Sequence, residues 1–454
     1  MTSRVRGRPV PATPRRALGD PRRSTSGGRS ASMEGPDEGG AMDPERAADH
    51  LPGTTGGLPD ANGGLPDANG GLPDATGYLP GAAGGLPQVR VPSGDVMRAV
   101  SAHADVRQVL ADPRFSRELR PGGPRLARGG DVSDDPYSLL NMDPPRHTRL
   151  RRIVAGAFTP RRTAAWRPRV EAVAAELADG MDAQGPPCDL LAAFAFPLPV
   201  RVVCEVLGVP DADRERFRAW ADTALSTGTD GAARRSASGA EFRRYVEEFV
   251  AARRDAPGDA LIDVLIAARD EGEDGDGDGG LSGPELVSLV INLISAGHET
   301  TAHLVASAVL TLVAGGRRPA AVDARLVEEV LRHDTPAAVA MPRLATEDAE
   351  LSGGTVRAGE TVLPMLAAAN RDAAVFADPG SFAPDRPTGG ASHLTFGHGP
   401  HFCLGANLAR QEVEVALGTL AARFPKLEPA VPADEVPWRT GGIVSGPAAL
   451  PVRW

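Results

Sequence analysis

The pattern of hydrophobic and polar positions divides the chain near residue 89. Before that point there is almost no periodic apolar pattern, and positions 56–87 repeat a seven-residue unit of the form GGLPDAN. Gly and Pro in every unit prevent a helix, and one Leu per unit buries too little surface to offset the loss of chain entropy. The sequence therefore predicts a disordered Gly/Pro-rich tail over residues 1–88 and a folded catalytic domain over residues 89–454.

Apolar residues at helical spacing dominate the folded part of the chain. Short strands are predicted at Val89–Val91 and Val96–Val100, and two Gly- or Pro-bounded strand regions at 349–362 and 448–452. Helices are predicted over 104–111, 145–157, 161–181, 199–207, 212–227, 241–254, 260–269 and 406–420. The pattern indicates a mainly α fold with a small β region.

The longest predicted helix starts after Ser282, which forms an S-x-x-E capping box with Glu285, and runs to Gly315. Residues 286–294 are apolar on nearly every face, so this half of the helix should be buried. The next six residues, AGHETT at 296–301, place a glycine and several polar groups inside the buried helix, and both features cost stability locally. The segment is therefore a candidate site, and a helix kink satisfied by the threonine hydroxyls is the alternative.

A second candidate site is the Gly-rich segment 396–405, FGHGPHFCLG, directly before a predicted helix. Cys403 lies there at a helix N-terminus, where backbone N–H groups and the helix dipole favour a thiolate. One thiolate cannot complete a tetrahedral zinc site, but it can be the single axial ligand of a haem iron. The other cysteines, Cys188 and Cys204, lack the paired spacing of a disulfide framework or a zinc site.

Composition and charge argue against some classes of function. The formal net charge of −10 argues against a nucleic-acid-binding surface, which needs a basic excess. No uninterrupted apolar run is long enough for a membrane span or a signal segment, and three scattered cysteines fit a reducing compartment. We expect a soluble, cytoplasmic, monomeric protein that acts on a small molecule.

The segment F-G-x-G-x-H-x-C-x-G resembles the haem-binding loop of the cytochrome P450 family at every fixed position. The resemblance covers about residues 89–454 and is strongest to soluble actinobacterial members that modify secondary metabolites. It implies the cytochrome P450 fold, with haem b between the long helix and the Cys403 loop and Cys403 as the ligand of the iron. The other cofactor-binding residues that it implies are His147, Arg151, Arg343, Phe396, Gly397, His401 and Gly405.

The same resemblance implies roles for residues of the long helix and its neighbours. Gly297, beside Ala296, would leave room for the co-substrate O2, Thr300 would donate a hydrogen bond to it, and Glu299 would supply protons. Glu329 and Arg332 match the family's E-x-x-R pair and would have a structural role. The implied substrate contacts are Leu293, Ser295, Ala338, Val339, Ala340, Met341, Ile443 and Val444.

The function implied by the resemblance is that of a haem-thiolate monooxygenase. It would hydroxylate or epoxidise a bulky, apolar, weakly aromatic molecule of the terpenoid or macrolide type. Electrons would come from a ferredoxin and its NAD(P)H-dependent reductase, since no flavin or nicotinamide segment is visible in the chain. A basic surface suited to an acidic ferredoxin is offered by Arg146, Arg149, Arg152, Arg161 and Arg162.

Two alternatives remain beside this interpretation. The first keeps the fold but changes the reaction to oxidative coupling, ring formation or rearrangement. The second is a haem sensor without turnover, which would not need the acid and alcohol of Glu299 and Thr300. The sequence also departs from the family at its N-terminus, where the repeats replace the helix that family members usually carry before their first strands.

Overall fold

The computed structural model describes most of the chain after residue 85. The described residues are 86–91, 93–118, 123–126, 135–213, 216, 220, 232–273, 280–317, 321–387, 392–439 and 443–454. The seven-residue repeats and most of the predicted helix 212–227 lie outside them.

Helices make up most of the described structure. Its α-helices are α1 (His103–Ala111), α2 (Arg146–Ala155), α3 (Pro160–Gln184), α4 (Pro197–Leu207), α5 (Ala232–Asp255), α6 (Leu261–Glu273), α7 (Gly283–Ala314), α8 (Ala324–His333), α9 (Leu366–Ala369) and α10 (Ala406–Arg423). Single 3-10 or π turns occur at Leu139–Asn141, Gly156–Phe158, Leu191–Ala195, Asp211–Asp213, Gly399–His401 and Ala433–Glu435.

The strands are short and form three small sheets. They are β1 (Gln88–Arg90), β2 (Val96–Val100), β3 (Phe115–Ser116), β4 (Cys188–Asp189), β5 (Arg343–Ala345), β6 (Ala349–Leu351), β7 (Gly354–Val356), β8 (Thr361–Pro364), β9 (Glu428–Pro429) and β10 (Pro451–Arg453). The strand orders are β1-β2-β8-β5-β3, β4-β10-β9 and β6-β7. β2 and β8 pair in parallel with Arg98 opposite Val362, and the other pairs are antiparallel.

The predicted mainly α fold with a small β region is confirmed. The strand candidates predicted around 349–362 are three strands, β6, β7 and β8. Gly354 and Gly359 have φ of 125° and 88°, a left-handed conformation that residues other than glycine rarely adopt, and they turn the chain twice. The predicted helix at 241–254 is longer than expected, because α5 already begins at Ala232.

The long helix α7 forms the centre of the core. Both hydrogen bonds of its predicted capping box are present: Ser282 Oγ accepts from Glu285 N, and the Glu285 carboxylate accepts from Ser282 N at 2.9 Å. Arg149 of α2 also binds Glu285, so the long helix is anchored to α2 at its first turn. Its apolar side chains pack against α4, α5 and α10, and α3 covers α10.

The predicted Glu329–Arg332 pair lies on α8 as a fully buried ion pair. Arg332 donates from Nε and Nη2 to the Glu329 carboxylate at 2.8 and 2.7 Å, and its remaining N–H groups reach the carbonyls of Asn370, Pro379 and Ser381 at 2.8 to 3.0 Å. This guanidinium therefore joins α8 to the segment that leads toward Cys403. A buried charge that is so completely bonded is costly to disrupt.

We predict that Arg332→Ala lowers the free energy of unfolding by about 3 kcal/mol, because buried Glu329 loses its two-point partner and keeps only the longer contact to Arg386 at 3.3 Å and the Ala383 N–H. Chemical or thermal unfolding of the purified holoprotein measures the loss. The matched control is Arg325→Ala on the same helix, whose pair with Asp385 is at 3.7 Å between highly exposed side chains. The control should change stability by no more than about 0.5 kcal/mol. Equal losses in the two variants would contradict the prediction.

Candidate active site

The Cys403 loop is a tight turn held by its own backbone. Cys403 N donates to Phe396 O at 2.8 Å, and Phe402 N donates to Gly399 O at 3.0 Å. Gly399 has a φ of 72°, and a Cβ on it would lie only 2.6 Å from the Leu110 carbonyl at the end of α1. Only glycine fits at this point, so the loop is pressed against α1 and ends at Gly405, directly before α10.

The Cys403 thiol is accessible to solvent, yet burial among protein atoms raises its pKa. These two properties together describe a sulfur on the wall of an interior space rather than on the outer surface. The Gly405 N–H and the positive charges of Arg151 and Arg410 act in the opposite direction and lower the thiol pKa. The surroundings thus contain donors and cations that suit a thiolate.

Basic side chains gather in the protein interior near this loop. Arg117, His147 and Arg343 are at most 5% exposed, and the rings of His147 and His401 are 4.1 Å apart. Both nitrogens of His147, Nε2 of His401 and Nε of Arg343 are buried without a hydrogen-bond partner. A group of buried nitrogens of this kind fits an anionic ligand.

The pKa values of these basic groups are lowered, as expected where positive charges lie close together in the interior. Burial lowers the pKa of Arg343 to about 10, and burial with repulsion from Arg343 lowers that of Arg117 to about 9. Burial and repulsion from Arg151 and Arg343 lower the pKa of His147 to about 4. An acidic ligand placed among these groups would reverse each of these effects.

Arg151, a predicted cofactor-binding residue, donates from Nη2 to the carbonyl of Phe402, the residue before Cys403. It therefore ties α2 to the cysteine loop. Phe396 packs at the same place, with the Arg410 guanidinium 4.6 Å from its ring centre. A Cβ on Gly405 would meet no atom within 4 Å, so space is open beside this glycine.

One stripe of the long helix faces open space. Ala296 is exposed and Leu293 and Thr300 are half-buried, although their neighbours Ile294 and His298 are each 1% exposed. The three residues have the i, i+3, i+7 spacing of one helix face. The Thr300 hydroxyl donates to the Ala296 carbonyl at 3.1 Å, as the kink alternative expected, but the helix continues unbroken.

Gly297 and Glu299 are placed differently from this stripe. A Cβ on Gly297 would lie 3.5 Å from Val203 of α4, so the position of its missing side chain faces a neighbouring helix. Its role of leaving room for O2 stays a prediction. Glu299 is 1% exposed, and its Oε1 accepts a hydrogen bond from Arg439 Nη1.

The predicted substrate contacts lie on the long helix α7 and in two segments nearer the C-terminus, 338–341 and 443–444. Ala338, Val339 and Ile443 share one apolar cluster, and a β-bridge between Ala337 and Val444 joins their two segments. Leu293, Ala340, Met341 and Ile443 are half-buried. Ser295 is 1% exposed with an unpaired hydroxyl, which places it away from the open stripe of Ala296.

Three residues of this region were missed by sequence reasoning: Arg117, Asn370 and Arg439. Asn370 Oδ1 accepts from Leu394 N at 2.6 Å and its Nδ2 donates to Thr395 at 2.9 Å, which fixes the start of the cysteine loop. No local pattern marks these residues, because their partners are far away in the sequence. Asn370 directly follows α9, and a fully buried asparagine is recognisable only in the folded chain.

Comparison with known proteins decides the family. The family model described as Cytochrome P450 matches residues 324–447. The chain is 41% identical to the nocardicin C N-oxygenase of Nocardia uniformis subsp. tsuyamanensis and to the mycinamicin IV hydroxylase/epoxidase of Micromonospora griseorubida, over 81% of this chain and 92% of each relative. The chain belongs to the cytochrome P450 family. The crystal structure of cytochrome P450mel 107F1 with biaryl coupling reactivity superposes with a TM-score of 0.75 at 38% identity, covering 84% of this chain and 96% of that chain.

The residues of this cytochrome P450 fit a haem. The interior has an accessible cysteine, a cluster of basic groups with orphaned donors, and an open stripe on a buried helix. Haem carries two propionate groups, and charge-assisted hydrogen bonds from Arg343, His147 and His401 would compensate them. The protein is a haem-dependent monooxygenase that uses O2. Among the described residues, no helix has both the length and the apolar character to span a membrane.

The predicted iron ligand is tested by Cys403→Ala. We expect the reduced, carbon monoxide-treated wild-type enzyme to show the red-shifted absorption band of a thiolate-bound haem, and the variant to lack it. Cys204→Ala is the matched control, since Cys204 is fully buried in the core, and this variant should keep the band. Persistence of the band in Cys403→Ala would contradict the assignment.

The pKa of His303 on α7 leads to a prediction for stability against pH. Burial lowers this pKa to about 4, whereas a histidine in the unfolded chain titrates near 6.5. Between these two pH values the unfolded chain binds the proton and the folded chain does not, so stability falls as the pH drops from 6.5 to 4. His303 accounts for about 3 kcal/mol of this loss. His303→Asn should therefore lose less stability than wild type between pH 7 and 4, measured by unfolding at each pH. Equal pH slopes would contradict this.

Proposed function

We propose that this cytochrome P450 hydroxylates or epoxidises a bulky, apolar, weakly aromatic small molecule of the terpenoid or macrolide type in secondary metabolism. The observation that carries the proposal is the open stripe of Leu293, Ala296 and Thr300 on the buried helix α7. It is supported by the aliphatic segments at 338–341 and 443–444, which offer apolar contact with no aromatic ring. The relative named for mycinamicin IV hydroxylation and epoxidation supports the same substrate class.

The reaction converts a C–H bond, O2, two electrons and two protons to an alcohol and one water. Haem, when bound through the Cys403 thiolate, supplies the iron chemistry that cleaves the O–O bond. Leu293 and the aliphatic segments at 338–341 and 443–444 would contact the substrate and exclude water. Ala296 is small and would leave space for the substrate and O2, and polar groups of the chain would transfer the protons.

Proton supply falls to Glu299 and Thr300. The Thr300 hydroxyl, now donating to the Ala296 carbonyl, would turn to donate into the open space, and this rotation about one bond exchanges one acceptor for another. Glu299 is a buried carboxyl on the next residue, and under the proposal it would return a proton to that hydroxyl through water. Such positioned groups contribute about 10²–10⁴-fold to a rate.

Electrons reach this enzyme, under the proposal, from a ferredoxin and its NAD(P)H-dependent reductase. Arg146, Arg152, Arg161 and Arg162 are exposed on α2 and α3. Helix α2 contacts the cysteine loop through Arg151 and Phe402, so an acidic protein docked there would lie close to the iron ligand. Arg149 contributes to the Glu285 ion pair instead of the docking surface.

The experiment combines binding and turnover. Terpenoids and macrolides are screened for the low-to-high-spin shift of haem absorption, with polar amino acids as controls. Hits are then incubated with a [2Fe-2S] ferredoxin, its reductase and NAD(P)H, and products are analysed by mass spectrometry. We expect a product that gains one oxygen atom, and none when the ferredoxin is omitted.

Other outcomes would overturn the proposal. A product that loses two hydrogen atoms without gaining oxygen would support oxidative coupling or ring formation, the reactivity named for the P450mel structure. Spin shifts only with polar compounds would exclude the substrate class. Ligand binding without any product under full electron supply would support the haem sensor.

A further inference from the structure

The proton-supplying carboxyl of α7 is held by a residue from the far end of the chain. Arg439 Nη1 donates to Glu299 Oε1, and these two residues are separated by 140 positions. The Glu299 side chain is 1% exposed and the Arg439 side chain 23%, so the pair joins the buried helix to a solvent-accessible group. The second carboxylate oxygen of Glu299 is buried without a partner.

His303, one helical turn after Glu299, completes the cluster. Its Nε2 lies 3.4 Å from Arg439 Nη1 and 4.0 Å from Glu299 Oε1. Burial lowers the pKa of His303 to about 4, so at neutral pH it is uncharged and accepts from Arg439 rather than competing with it. Gly446 covers the ring closely, because a Cβ there would lie 2.7 Å from His303 Nδ1. The charge that balances Glu299 in this cluster is therefore that of Arg439.

Arg439 is itself fixed by the polypeptide around it. Its N–H donates to Gly446 O at 3.0 Å, and Trp438 and Pro447 form a β-bridge beside it. The returning segment is bound to the core, because Ser445 N donates to Pro336 O at 2.8 Å and Val444 pairs with Ala337. The segment that presents Arg439 to the acid thus also carries Val444, a predicted substrate contact.

We propose that Arg439 is a positioning residue for proton delivery, which holds the Glu299 carboxyl in one orientation and as an anion until it takes up a proton. An isolated carboxylate at 1% exposure would bear a large desolvation cost, and a guanidinium at hydrogen-bond distance removes most of it. The bond occupies Oε1 and leaves Oε2 as the oxygen that accepts and passes on a proton. This inference rests on the role proposed above for Glu299.

The test compares Arg439→Gln, Arg439→Lys and Glu299→Gln in the intact holoenzyme with its electron-transfer partners. We expect Arg439→Gln to lower product formed per NAD(P)H by about tenfold, a fraction of what a proton-transfer group contributes, and to change the solvent isotope effect on turnover. Arg439→Lys, which keeps the charge, should restore most of the yield. The substrate-induced spin shift should stay unchanged in all three variants, because none of these residues touches the substrate.

A second measurement does not depend on turnover. Thermal unfolding of the single variants and of Glu299→Gln/Arg439→Gln gives a double-mutant cycle, and a direct pair requires non-additive shifts in Tm. Arg453→Gln is the matched control, since this arginine lies in the same C-terminal segment and pairs with Glu428 while 59% exposed. It should leave the yield, the isotope effect and the cycle unchanged.

The outcomes separate this inference from the proposed function. If Glu299→Gln lowers product yield and alters the isotope effect while Arg439→Gln behaves as wild type, the role of Arg439 is wrong and that of Glu299 stands. If Glu299→Gln itself leaves yield and isotope effect unchanged, the proton-supply role fails first. Failure of Arg439→Lys to restore the yield, with additive Tm shifts, would also overturn the inference.

Discussion

Compensation of buried charge is the constraint on which this structure depends. A charged group taken from water into the interior needs an opposite charge or several hydrogen bonds, or it destabilises the fold. Glu329 and Arg332 meet that demand within one helix, and Glu299 meets it with Arg439 from a distant segment. The cluster of Arg343, His147 and His401 keeps several N–H groups unbonded, and the propionates of haem would compensate it.

This view explains how the scaffold and the site are connected. Arg332 binds the carbonyls of Asn370, Pro379 and Ser381, and Asn370 in turn binds the first residues of the cysteine loop. The ion pair that stabilises α8 therefore also determines where Cys403 lies. The capping box and Arg149 fix the start of α7, and they therefore help to fix the position of its open stripe.

The sequence was sufficient to predict features that depend on contacts between residues only a few positions apart. The capping box of Ser282 and Glu285, the helix period of α7 and the glycine-rich turn before Cys403 are each encoded within a few residues, and the structure has them where they were expected. The cytochrome P450 fold was implied by the resemblance of the cysteine loop and three further segments to that family. Glycine-bounded strands were also predicted around 349–362, although a β-rich pattern does not reveal that Gly354 and Gly359 have a positive φ.

Long-range contacts could not be predicted in this way. The sequence around Arg439 does not indicate that it binds Glu299, which lies 140 residues earlier. The sequence around Arg151 likewise does not indicate that it binds Phe402. Ser295 lies between an apolar run and an exposed alanine. The local sequence therefore does not show whether Ser295 is buried, because that depends on how the rest of the chain packs around the helix. The unpaired basic cluster is likewise visible only after Arg117, His147, Arg343 and His401, which are far apart in sequence, have been brought together.

The contact between Gly399 and the end of α1 affects how the protein can fold while it is synthesised on the ribosome. The loop that carries the iron ligand closes against a carbonyl almost 290 residues upstream, and α10 must also emerge before the loop can be completed. Contacts of such wide separation form late, since the intervening chain must first be ordered. The nascent polypeptide therefore cannot close this turn until the 289 residues that follow Leu110 have been synthesised, and by then the sequences of nine of the ten helices described above have already been translated.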